Sequence, residues 1–271
     1  MKIHVRAPAT TANIGPGFDC AAAALDLWNE LEVEEGDGEL DETHLGVRAI
    51  AKLAPAEGRR VEVVSRIPRA RGLGSSASVI ALGLVAGAIA AGEEPDPERL
   101  LAIGVELEGH ADNLAAALAG GVCLTWENRI VRVADSLPAV PFALVPEATV
   151  STAEARNSLP DSVSHEDAAF TAGRAALLGA ALAQGSAELF AEAIQDRLHE
   201  PYRAESSPLL GVIRESLPAA ALGATLSGAG PTVIVWARLG EEAACAHELE
   251  SRFPNEQVLP LTISQTGAGP T

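Results

Sequence analysis

The sequence predicts an α+β protein of two modest domains, and three observations lead there. At about 150 residues per domain, a chain of 271 residues has room for two. Apolar residues make up 48% of it but aromatics only 3%, so a sizeable core is available and must be built from Ala, Val, Leu and Ile. Strand-like and helix-like segments mix along the chain without the strict alternation of a parallel βαβ sheet.

Taken in order, Lys2–Val5 reads as a short strand and Ala7–Gly17 as a loop of small residues. Leu27–Val33 alternates apolar and acidic residues, the period of a half-exposed strand, and Gly36-Asp37-Gly38 is a turn signal. Thr43–Ala54 is a helix candidate, Arg60–Ile67 a strand, Pro68–Ser76 a loop, and Ala77–Ala91 a helix with almost no polar face. A helix beginning at Pro95 runs towards Glu108, and Ala115–Gly121 is Ala-rich and ends on a Gly pair. Val122–Trp126 and Ile130–Val133 pair around a turn at Glu127–Asn128. Pro138, Pro141 and Pro146 bracket a strand at Phe142–Val145, and the domain boundary is placed there, giving 1–147 and 148–271. Asp167–Ala183, Ser186–His199, Ser207–Ser216 and Glu241–Phe253 read as helices, with strands at Ala224–Leu226, Thr232–Ala237 and Gln257–Ile263.

The net charge is −18, shared between residues 1–150 (12 basic, 22 acidic) and 151–271 (7 basic, 15 acidic). Such a surface repels phosphate backbones and anionic lipid, which argues against nucleic-acid or membrane binding. Residues 30–42 hold eight acids and no base, the composition of a solvated strand and loop. Glu outnumbers Asp 27 to 10, which fits salt adaptation, high temperature or GC-rich coding equally. Cys20, Cys123 and Cys245 are far apart and form no CxxC pair, so disulfide scaffolds and Cys-based zinc sites are not expected. No signal-peptide core follows the N-terminus, and the uncharged apolar stretch from Ser78 to Gly92 is too short for a bilayer. A soluble, reduced, cytoplasmic protein is expected.

The main chemical signal is Ile67-Pro68-Arg69-Ala70-Arg71-Gly72-Leu73-Gly74-Ser75-Ser76-Ala77, running into the apolar helix. Glycines let a ligand approach the backbone, and successive N–H groups at a helix N-terminus cradle an anion. Two serine hydroxyls can reach a phosphate oxygen or Mg²⁺. Residues 59–92 carry five arginines and one acid, Glu62, a local charge of +4 inside an acidic chain. GLGSSA also fits G-x-G-x-x-A, but no strand follows the helix as a dinucleotide-binding unit requires, and the Walker lysine is absent. The bland alternative is a Gly-rich connection with two capping serines.

Three further clusters stand out. Asn13 and Asp19 in TTANIGPGFD either orient a small polar ligand or close an Asx-type turn. Glu108-Gly109-His110-Ala111-Asp112-Asn113 gathers two carboxylates, an imidazole and an amide, and a carboxylate beside a phosphate site suits Mg²⁺. Leu226-Ser227-Gly228-Ala229-Gly230-Pro231-Thr232 is a tight turn that permits close backbone approach.

With these segments in order, the chain resembles the GHMP small-molecule kinases, named for galactokinase, homoserine kinase, mevalonate kinase and phosphomevalonate kinase. PATTANIGPGFD and EGHADN are similar to the homoserine kinase branch in particular, and the resemblance spans residues 7–232. It implies an N-terminal domain like the second domain of ribosomal protein S5, a ferredoxin-like C-terminal domain, and ATP-dependent phosphorylation of the L-homoserine hydroxyl in threonine biosynthesis. Residues Ile67–Ala77 would then wrap the ATP phosphates. Ser76 and Glu108 would hold Mg²⁺, with Ser75 as the alternative serine. Asn13, Asp19, His110, Thr152, Arg156 and Arg203 would contact homoserine, both arginines at its carboxylate, with Asp112 and Asn113 beside the reacting hydroxyl. The alternatives are another such kinase, mevalonate kinase for instance, or a non-catalytic relative. A homodimer is compatible with the sequence. The chain is shorter than the family pattern around residues 34–46, on the adenine side.

Overall fold

The computed structural model describes residues 2–36 and 41–271. The turn expected at Gly36-Asp37-Gly38, and part of the acidic run, lie outside the described residues. The first strands, β1 (Ile3–Asn13) and β2 (Gly17–Glu35), form a long antiparallel hairpin with register shifts after Pro8 and Ala12. The small-residue stretch expected as a loop is therefore strand up to Asn13, and only residues 14–16 form the turn. It is buried on both faces, so no alternation marks it in the sequence.

Helix α1 (Leu45–Ala51) and strand β3 (Arg59–Val64) follow, then α2 (Ser75–Ala90), which is buried from Ala77 to Ala88 and packs on β1 and α1. An all-round apolar helix has no solvated face, so its stability comes from packing rather than from its own periodicity. Helix α3 (Pro97–Glu108) starts on the Asp96 cap and ends at Gly109 with φ of 86°. After only Gly109 to Ala111 comes α4 (Asp112–Ala119), and then β4 (Val122–Trp126) and β5 (Arg129–Ala134).

Strand β6 (Val140–Val145) opens the second sheet. Helices α5 (Thr152–Asn157), α6 (His165–Gln184), α7 (Ala187–Ala193) and α8 (Leu209–Glu215) precede β7 (Ala221–Leu226) and β8 (Val233–Ala237). Helix α9 (Glu242–Arg252), β9 (Gln257–Pro260) and the short β10 (Gly269–Pro270) complete the chain. Helix α5 and β10 had no sequence signal, and α7 stops well short of His199.

The first sheet runs β10-β1-β2-β4-β5 with β3 on β2, and the second runs β7-β8-β6-β9, every pairing antiparallel. The second is the split βαββαβ arrangement of ferredoxin-like folds. The α+β class therefore holds. The changeover between sheets falls between β5 and β6, ahead of the boundary at 147/148, because β6 is a central strand between β8 and β9. The C-terminal segment then returns to the first sheet through β10. A cluster including Ala9, Ile14, Leu25, Phe190 and Trp236 joins the two units into one interior. No helix among the described residues is long and apolar enough to cross a membrane.

Candidate active site

A cleft opens where the N-terminus of α2, the α3–α4 connection, the β1–β2 turn and the β7–β8 turn meet. One wall is backbone. Gly74 is the N-cap of α2, in the left-handed region at φ 63°, and an added Cβ there would collide with Thr10 Oγ1. Gly72, at φ 79°, lies against the carbonyls of Ser227 and Gly230. Ser75 and Ser76 are therefore the first helical residues rather than caps, and the N–H groups of that first turn have no helical carbonyl to bond. They form an anion-binding end backed by the helix dipole. The loop is clamped from both sides: the Thr10 N–H donates to Leu73 O (3.1 Å), and Ser227 Oγ donates to Gly72 O (2.7 Å).

Ala70, Arg71, Gly72, Gly74, Ser75 and Ser76 line the cleft. Ile67, Leu73 and Ala77 instead bury their side chains in the core and act as anchors, while Pro68 and Arg69 lie on the loop outside the cleft lining. The local charge is used differently from the sequence expectation. Arg60 pairs with Glu34 and Glu62, and Arg66 pairs with Glu30. Arg71 spends its guanidinium on the carbonyls of Pro146 (2.9 Å), Glu147 (2.8 Å) and Arg69 (3.2 Å). Main-chain N–H groups, rather than free arginines, are what this wall presents.

The α3–α4 connection puts Glu108 at the end of one helix and Asp112 at the start of the next, both facing the α2 N-terminus. Ser76 Oγ donates to Glu108 Oε2 (2.6 Å). His110 sits between the carboxylates, with Nδ1 2.7 Å from Asp112 Oδ1 and Nε2 3.6 Å from Glu108 Oε1. Burial pushes the Glu108 carboxyl above its ordinary range; Ser76 and His110 pull it back and Asp112 adds to the rise. Burial alone would lower the His110 pKa, but Asp112 and Glu108 outweigh it and hold the ring towards imidazolium. Asp112 Oδ1 also accepts from the Asn113 N–H (2.7 Å), and Thr10 Oγ1 donates to Asn113 Oδ1 (2.6 Å).

The opposite wall is made of side chains. Asn13 Oδ1 accepts from the Asp19 N–H (3.1 Å), while its Nδ2 donates to Gly228 O (3.0 Å), so Asn13 closes the turn that aims Asp19. Asp19, Asn13 and Ala70 all have positive φ, strain of the kind that collects at functional sites. Arg156, from α5, grips Asp19 with two bonds of 2.9 Å. Arg203 is 3% exposed; its Nε donates to Ala155 O (3.3 Å) and its NH1 to Gly228 O (3.0 Å). Thr152 also lines the cleft. Thr10, which locks Gly74 against Asn113, and Phe18 and His199, which flank Arg203, were missed from the sequence, because their roles come from partners distant along the chain.

Comparisons with known proteins bear on the fold and the family. A family model described as GHMP kinases N terminal domain matches residues 44–121, and one described as GHMP kinases C terminal matches residues 178–255. The chain is 42% identical to the homoserine kinase of Clavibacter michiganensis subsp. michiganensis, covering 86% of this chain and 82% of that one. It is 40% identical to the homoserine kinase of Streptomyces avermitilis, covering 96% of each. The homoserine kinase structure from Cytophaga hutchinsonii superposes with a TM-score of 0.88 at 25% identity, covering 100% of this chain and 97% of the other. Methanococcus jannaschii mevalonate kinase, at 17% identity and a TM-score of 0.73 over 97% of this chain and 98% of its own, shares the fold.

Proposed function

This chain belongs to the homoserine kinases within the GHMP kinase family, and on that premise we propose that it transfers the γ-phosphoryl group of ATP to the side-chain hydroxyl of L-homoserine, a step of threonine biosynthesis. The observation that carries the reading is one cleft with an anion cradle on one wall and, on the other, a buried arginine beside an Arg156–Asp19 pair. Such a wall suits a zwitterion: carboxylate towards the guanidinium groups, ammonium towards Asp19.

Phosphoryl transfer asks mainly for alignment and charge neutralisation. The N–H groups of residues 74–77 would take the phosphate oxygens. Ser76 Oγ and the Glu108 carboxylate, 2.6 Å apart and both hard oxygen donors, fit Mg²⁺, and the raised Glu108 pKa marks a carboxylate that gains from a cation. When bound there, Mg²⁺ would supply positive charge against the transferring group. Arg156, Arg203 and Asp19 would hold the amino-acid end, and Asn113, locked by Thr10, would fix the hydroxyl end. Asp112 is restrained by His110 and the Asn113 N–H. It would accept a hydrogen bond from the substrate hydroxyl and orient its oxygen for in-line attack, so positioning, rather than strong base catalysis, is its proposed role.

ADP release measured with L-homoserine, mevalonate and galactose as acceptors tests this. Turnover selective for homoserine is expected; equal or better turnover of either alternative overturns it. Glu108→Ala is expected to lower kcat on the order of 10³-fold, the scale for losing a group that stabilises developing charge, and to weaken binding of Mg-ATP. Unchanged kinetics would remove Glu108 from the metal site.

A further inference from the structure

His199 is fully buried, lies outside the cleft lining, and has no part in the mechanism above. Its ring stacks on Phe18 with centroids 5.1 Å apart and planes 19° apart, and the Arg203 guanidinium lies over the same Phe18 ring at 5.4 Å. Nδ1 is 3.1 Å from Arg203 NH1, and Nε2 is 2.9 Å from Gly15 O. The other charged group nearby is Asp196, whose Oδ2 is 3.6 Å from Nε2.

These contacts assign the ring proton. A guanidinium only donates, so Nδ1 facing it must be a bare acceptor; Gly15 O and Asp196 only accept, so Nε2 carries the hydrogen. The segment is preformed, because the Asp196 carboxylate accepts from the N–H groups of Leu198, His199 and Glu200. Both NH1 hydrogens of Arg203 are then spent, on His199 and Gly228 O, and Nε–H goes to Ala155 O. Among the described residues, NH2 has no hydrogen-bond partner, and Arg203 borders the cleft.

We propose that His199 is a positioning residue for substrate recognition: its neutral Nδ1 fixes the rotation of the Arg203 guanidinium so that the NH2 edge is presented to the carboxylate of the acceptor substrate. This deepens, and rests on, the homoserine reading. A guanidinium held on one side only by backbone carbonyls can swing about its last torsion; a ring pinned by Phe18 and Gly15 cannot follow it. Preorganisation of this kind acts on binding of the charged end and leaves the phosphate wall alone.

Two conservative variants separate this role from simple filling of the core. His199→Asn keeps an acceptor at the Nδ1 position, whereas His199→Gln places its amide at the Nε2 position and loses that acceptor. Each is assayed with L-homoserine and with L-homoserinamide, which has the same shape without the carboxylate charge. For His199→Gln, KM for homoserine is expected to rise roughly 10- to 100-fold, the range for a hydrogen bond to a charged group. Its KM for ATP and its kcat/KM for the amide should change by less than about threefold. His199→Asn should stay within about fivefold of the wild type on homoserine. Equal losses on acid and amide, or Asn no better than Gln, would overturn the proposal and leave His199 as packing. Wild-type protein that turns over neither acceptor while hydrolysing or transferring from ATP elsewhere would overturn the substrate reading itself, and this proposal with it.

Discussion

The two walls of the cleft are built from different materials. The proposed phosphate wall is one contiguous loop that presents main-chain N–H groups, clamped by Thr10 of β1 and by Ser227 of the β7–β8 turn. The proposed substrate wall is assembled from Asp19, Arg156 and Arg203, which come from the start of β2, α5 and the turn before α8, and it presents side-chain tips. The first wall is sensitive to any added atom, because its functional groups cannot be separated from the fold. The second is sensitive to chemistry while its surroundings can survive the change. Damage to the first should therefore affect nucleotide use and stability together, and damage to the second should affect acceptor use alone.

Among the changes that separate the two walls, the largest effect is expected for Gly74→Ala. A Cβ at this position would collide with Thr10 Oγ1 and come 3.1 Å from Asn113 Oδ1, in a backbone conformation that costs an L-residue about 1–2 kcal/mol. Overpacking adds about 1–3 kcal/mol more. A melting temperature lower by roughly 5–15 °C is expected, together with a fall in kcat/KM for ATP of about 10²-fold or more. If stability fell while nucleotide kinetics held, the wall would be a structural turn and not a cradle.

A smaller and more selective effect is expected for Arg156→Ala. The pair with Asp19 is about two-fifths exposed on each side, 40% and 42%, so its loss should cost stability only about 0–1 kcal/mol. Its proposed contact with the substrate carboxylate is charge-assisted, and losing it should raise KM for homoserine roughly 10- to 100-fold. KM for ATP should not move. Parallel losses for both substrates would erase the distinction between the walls.

What was legible in the sequence follows the same division. Contiguous features could be read directly: the glycine loop, the Glu108-to-Asn113 connection and the helix behind them. Features set by distant partners could not. Strand β6 looked like the end of a domain because prolines bracket it, yet its membership of the second sheet is decided by β8 and β9. The segment around His199 looked like the continuation of a helix, because an apolar face does continue; Asp196 stops it by taking the next N–H groups on its side chain. The sequence leaves Asn13 open between ligand contact and turn closure; in the structure it closes the turn that delivers Asp19 and also lines the cleft, so one reading does not displace the other. The acidic run at residues 30–42 and the basic run at 59–71 read as two separate features. Pairing of β2 with β3 brings them together and cancels part of each, Glu30 with Arg66 and Glu34 with Arg60.

That cancellation gives the smallest expected effect and the sharpest test of how an acidic protein takes an anionic nucleotide. Arg66 NH1 lies 2.6 Å from Glu30 Oε1, with half of the Arg66 side chain, 51%, exposed. If the local excess of positive charge drew the phosphates in, Arg66→Ala would weaken ATP binding, and the loss would shrink at high salt. If fixed N–H dipoles at the α2 N-terminus do the work, the arginine is already committed to its glutamate and KM for ATP should change by less than about twofold at any ionic strength. A tenfold or greater, salt-sensitive rise would return the arginines to the phosphate wall. The expected flat response instead means that the −18 net charge is no obstacle: oriented backbone groups act within a few ångströms, inside the distance over which surface charge is screened.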